Sequence, residues 1–119
     1  MDNNHDYADA VCELLRMTCD WDVEVAYGPA DALFRAKAHP PDAVLLDLEM
    51  PEMNGFDTAD LLMQALAVNC PRLVAVTGNS NLQITASHDA RFADALLKPA
   101  DNAELLILLA GFAASPRVQ

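Results

Sequence analysis

Basic residues are scarce: seven Lys and Arg stand against eighteen Asp and Glu in 119 residues, a formal net charge of −11. A surface of that sign repels phosphate backbones and anionic headgroups, so no nucleic acid and no membrane partner is expected, and partners should be basic, cationic or metal-bearing. Glycine and proline, four and seven residues, are too few for a disordered or fibrous chain, while hydrophobic residues at 53% suit a packed globular one. Cys12, Cys19 and Cys70 are an odd number without a CxxC pair or Cys/His clustering, which excludes a disulfide framework and a zinc site and leaves reduced, small apolar side chains. His5, His39 and His88 show no ligand spacing. No hydrophobic run is long enough to span a bilayer, the strongest being Glu104 to Ala114, and the acidic, polar N-terminus lacks a signal peptide's pattern. A cytoplasmic protein is expected, with residues 1–119 as a single domain.

What is present is an alternation of helical and strand-like patterns. Within Tyr7 to Thr18, Ala8, Val11, Cys12 and Leu15 make an amphipathic stripe, and Asp22 to Tyr27 alternates polar and apolar as a half-buried strand does. Pro29 suits the first turn of a helix that runs to about His39, and Pro40-Pro41 ends it. Short apolar runs follow at Asp42 to Asp47, Leu73 to Thr77 and Asp94 to Lys98. Between them lie a helix over Gly55 to Val68, with Phe56, Ala59, Leu62, Met63 and Leu66 inward, and a weaker, marginal one over Asn81 to Phe92. Asp101 to Ala113 closes the chain as a helix capped by Asp101 or Asn102. Its Leu105 to Leu109 run is apolar on more than one face, which suggests a partner surface. Buried parallel strands with crossover helices define the class as α/β, doubly wound.

Ligands of such sheets bind outside the carboxyl ends of the strands, where Asp47, Thr77 and Lys98 fall. A carboxylate nucleophile, a hydroxyl donor and an ammonium clamp are the parts for making and sensing an acyl phosphate. Trp21, beside the second patterned strand, reads as half-buried packing, and Met50 and Met53 as packing or crevice-lining residues.

The segment Asp47-Leu48-Glu49-Met50-Pro51-Glu52-Met53-Asn54-Gly55 resembles the phosphoacceptor loop of two-component response regulator receiver domains. Thr77 in Ala75-Val76-Thr77-Gly78 and Lys98-Pro99 keep the family's spacing, so the likeness covers essentially the whole chain. The resemblance implies a flavodoxin-like sheet of order 2-1-3-4-5. It also implies phosphorylation of Asp47 by a histidine kinase or histidine phosphotransfer protein, with Mg2+ as the cofactor. Thr77 would be the switch hydroxyl, Lys98 the phosphoryl partner, and the carbonyl of Glu49 a metal ligand.

Two departures stand against the family pattern. The first strand, which in the family ends in the acidic pair that holds Mg2+, is largely missing, and spacing places that pair at Asp2 and Asn3, where one carboxylate has become an amide. The expected consequence is a product that begins upstream, or a gap filled by a second chain such as a homodimer partner, or a rearranged four-stranded sheet. A structure should therefore show a non-standard sheet or an intermolecular contact. Ala95 replaces the ring that the family often carries three residues before the lysine, which weakens the usual readout. Two main functions compete: a phosphoacceptor switch of a protein–protein contact, catalytic only in the sense of self-catalysed phosphoryl transfer and dephosphorylation, or a degenerate interaction module independent of phosphate. A Mg2+-dependent phosphatase using Asp47 is a remote third, since Glu49 stands where its general acid would need an Asp.

Overall fold

The computed structural model describes residues 5–18, 22–49, 54–67, 70–98, 100–112 and 117–119. Helix α1 (His5–Thr18) forms on the stripe of Val11, Cys12 and Leu15 and buries its last two members. That burial pushes the Cys12 thiol pKa up, which keeps it protonated. Strand β1 (Asp22–Val23) follows, then α2 (Pro29–Ala38), β2 (Ala43–Asp47) and α3 (Gly55–Ala65). The Asn54 side chain caps α3 by accepting from Asp57 N at 2.9 Å. Strand β3 (Arg72–Thr77), α4 (Ser80–Ser87), β4 (Asp94–Leu97), α5 (Asn102–Ala110) and β5 (Arg117–Val118) complete the order. Asp101 caps α5 through Glu104 N at 2.9 Å.

All strand pairs are parallel and the order is β1-β5-β2-β3-β4. Alternation along β2 divides the core: Ala43 faces the layer that holds Leu15 of α1 and Leu105 and Leu109 of α5, while Val44 and Leu46 face Ala36, Leu62 and Ala86 of α2, α3 and α4. The doubly wound class is as expected.

The centre of the sheet is not. Among the described residues no strand precedes α1, and the place between β1 and β2 is taken by β5, from the other end of the sequence. Glu24 N donates to Val118 O at 3.0 Å, Gln119 N to Ala43 O at 2.9 Å, and Leu45 N to Gln119 O at 2.6 Å. Val118, 1% exposed, enters the α1/α5 layer, and the Gln119 side chain reaches the opposite layer, where its amide donates to Ala32 O at 2.9 Å. The sheet is non-standard, as expected, but the gap is filled from within the chain, and the sheet has five strands where the rearranged alternative had four.

Two elements fall furthest short of their patterns. The alternation over 22–27 is paired only at Asp22 and Val23, because β5 offers only two residues of ladder. The helix expected to reach Phe92 ends at Ser87. From there, turns carry the chain to a cluster in which Arg91 pairs with Asp89 and Asp60, donates to Phe56 O at 3.1 Å and lies 5.3 Å from the centre of the Phe56 ring. Hydrogen bonds from Arg91 hold the Asp89 carboxyl below its ordinary value of 3.8. A carboxyl whose folded pKa is depressed contributes stability above its unfolded pKa and loses it as the pH falls through the folded one. Melting temperatures below about pH 4 should therefore fall less steeply for Asp89→Asn than for the wild type; equal slopes would show that the pair contributes nothing.

Candidate functional site

The register builds the site. Asp47 pairs with Val76 and Thr77 with Leu97, so Asp47, Thr77 and Lys98 stand at or just beyond the carboxyl ends of three neighbouring strands. Strands of a sheet lie about 4.8 Å apart, which brings side chains at such positions within reach of one another. Asp47 is 4% exposed and Thr77 fully buried. The ammonium of Lys98 lies 3.6 Å from Asp47 Oδ1. It also sits 4.7 Å from the centre of the Tyr7 ring of α1, and the Tyr7 hydroxyl is 3.5 Å from Ala100 N. A cation over a ring face is attracted by the ring quadrupole, so Tyr7 helps to restrain the Lys98 ammonium.

Glu49 touches two of these residues, Asp47 and Thr77. Its backbone N–H donates to Asp47 Oδ1 at 3.1 Å, and its carboxylate accepts the Thr77 hydroxyl proton at 2.6 Å. The Thr77 oxygen in turn accepts from Asn79 N at 3.1 Å, and the Asn79 side chain caps α4 through Asn81 N and Leu82 N. A cavity of about 40 Å3 opens beside Asp47 between α1 and the sheet, with room for water.

Asp47, Thr77, Lys98 and Glu49 thus converge. Asp2 and Asn3, the remaining expected metal ligands, lie outside the described residues, as do Trp21, Met50, Met53 and Pro99. Among the described residues no group of three or more His, Cys, Asp or Glu could hold a metal ion. The oxygens present, the Asp47 carboxylate and the Glu49 carbonyl, are of the hard type that Mg2+ takes, and they leave most of its coordination positions to other donors. Ala95 is buried in β4, where its carbonyl accepts from Gln83 Nε2 at 3.2 Å. Tyr7 and the side-chain contact of Glu49 were missed from the sequence. Tyr7 lies on the helical face next to Ala8 and Val11 and carried no motif of its own.

A carboxylate, a hydroxyl and an ammonium thus meet at the carboxyl edge of a doubly wound parallel sheet, the place where α/β proteins of this class bind their ligands. The family model for the response regulator receiver domain matches residues 1–110. The chain therefore belongs to the receiver domains of two-component signalling. A signal receiver domain from Bermanella marisrubri is similar at 29% identity with a TM-score of 0.81, covering 93% of this chain and 92% of that one. The chemotaxis protein CheY4 of Vibrio cholerae, at 22% identity and a TM-score of 0.80 over 94% of this chain and 93% of that one, shares the fold. An uncharacterised response regulatory protein of Vibrio cholerae is 35% identical over 74 residues, which are 62% of this chain and 27% of that protein. The chain thus spans about a quarter of the length of the curated relatives it matches. The family match stops short of β5. Among the described residues no helix is long and apolar enough to cross a membrane.

Proposed function

We propose that the chain accepts a phosphoryl group on Asp47 from a phosphohistidine of a kinase or phosphotransfer protein and so switches a protein contact in the cytoplasm. The observation that carries this reading is the buried Asp47 carboxylate with the Lys98 ammonium 3.6 Å away. In the transfer, an Asp47 oxygen bonds to phosphorus as the P–N bond to the donor imidazole breaks, and the donor nitrogen keeps the electron pair. Lys98 moves from neutralising the carboxylate to neutralising the phosphoryl oxygens, and Thr77 supplies a hydroxyl donor. Mg2+, held by Asp47, the Glu49 carbonyl and the Asp2/Asn3 segment, would offset phosphoryl charge. Exposed Ile84 of α4, Leu97 of β4 and Ile107 of α5, the last 75% exposed, offer an apolar surface for the switched contact.

A thermal melt tests the reading. Beryllofluoride, a phosphoryl mimic, added with Mg2+ at a hundred times its Kd should contribute about 2.7 kcal/mol, several degrees in a domain of this size. Asp47→Asn should not respond. A cooperative wild-type melt that ignores both additions would favour the phosphate-independent interaction module.

A further inference from the structure

The Thr77 hydroxyl has one proton to give, and it gives it to Glu49. We propose that the Glu49 side chain is a positioning residue that holds this hydroxyl away from the phosphoryl position, so that the unphosphorylated state is latched by a carboxylate two residues from the acceptor. The inference deepens the phosphoacceptor reading and rests on it. It concerns the side chain of Glu49, whereas the resemblance assigned a role only to its backbone carbonyl.

Three contacts carry the argument. Glu49 is bound on both sides, its N–H to Asp47 at 3.1 Å and its carboxylate to Thr77 at 2.6 Å. A hydroxyl donating to a carboxylate makes a charge-assisted bond, stronger than a neutral one, and it must break before Thr77 can donate to a phosphoryl oxygen on Asp47. The Thr77 oxygen also accepts from Asn79 N, and Asn79 caps α4, so turning the hydroxyl away from Glu49 loosens the first turn of α4 as well. With Ala95 in place of a ring on β4, this chain of contacts offers a route from the acceptor to α4 that needs no aromatic side chain.

The test compares wild type, Glu49→Ala and Glu49→Gln, each with Thr77 intact and with Thr77→Ala, by calorimetric titration with beryllofluoride in the presence of Mg2+. Glu49 is exposed, so the substitutions leave the core untouched. Losing a hydrogen bond to a charged group predicts that Glu49→Ala binds beryllofluoride about tenfold more tightly than wild type. Glu49→Gln, which keeps an acceptor and removes the charge, should fall between. On the Thr77→Ala background the difference should shrink to within about twofold. In the unliganded protein, scalar couplings at Thr77 should report one side-chain rotamer in the wild type and averaging in Glu49→Ala. Equal affinities, an equal shift on both backgrounds, or an averaged Thr77 in the wild type would overturn the latch alone. Failure of every variant to bind beryllofluoride would overturn the phosphoacceptor reading and the latch with it.

Discussion

Deleting residues 117–119 should abolish cooperative thermal unfolding, although the family match ends at residue 110. Val118 is 1% exposed among Cys12, Leu15, Leu105 and Leu109, and burying a valine contributes about 1.5 kcal/mol or more. The deletion also removes the partners of Glu24 N, Leu45 N and Ala43 O in the middle of the sheet. Each such bond contributes about 1 kcal/mol net, and a buried group left without its partner costs more. The total, about 5 kcal/mol, rivals the whole stability of a small domain. Circular dichroism through a thermal ramp reads the result: a cooperative transition retained within a few degrees would mean that β1 and β2 hold the sheet without β5.

The second large effect concerns Gly55, the last residue of the Asp47-to-Gly55 segment. Its side-chain position is not open: a Cβ there would lie 2.5 Å from Leu48 Cδ2 and 2.6 Å from Leu48 Cα. The first clash involves a flexible methyl group, the second the main chain one residue beyond Asp47. Gly55→Ala must therefore either unseat the start of α3 or displace the backbone next to Asp47, and overpacking of this kind costs about 2 kcal/mol. The denaturant midpoint should drop accordingly, and beryllofluoride affinity should fall with it, because the displaced backbone carries Asp47. A variant with wild-type midpoint and affinity would show that the α3 start has slack.

The parts of this fold legible in the sequence are those whose neighbours are set by local periodicity. The stripes of α1 and α3 and the apolar runs of β2 and β3 announced themselves, and three runs ending in Asp47, Thr77 and Lys98 pointed to the sheet edge where those residues stand side by side. Strand β5 was illegible for a physical reason. Two paired residues with one buried apolar side chain between Pro116 and Gln119 present no period, and the partners that make them a strand are β1 and β2, far away in sequence. The contact of Glu49 with Thr77 was hidden likewise, since it depends on side-chain reach across β2 and β3. The early end of α4 follows from the Arg91 cluster, whose pull on Asp89, Asp60 and Phe56 stops a helix that propensity alone left marginal.

The position of β5 also governs the order in which the molecule can be made. A sheet whose central strand comes first in the sequence can recruit later strands as they emerge from the ribosome. Here β2, β3 and β4 can assemble early, but among the described elements β1 joins them only through β5, which follows all the others in sequence. Until then β1 has no neighbouring strand, and the unpaired edges of β1 and β2 are open to pairing with other chains. Long-range closure of this kind raises contact order and slows folding. Closure of the sheet thus hangs on a two-residue strand far in sequence from both of its neighbours.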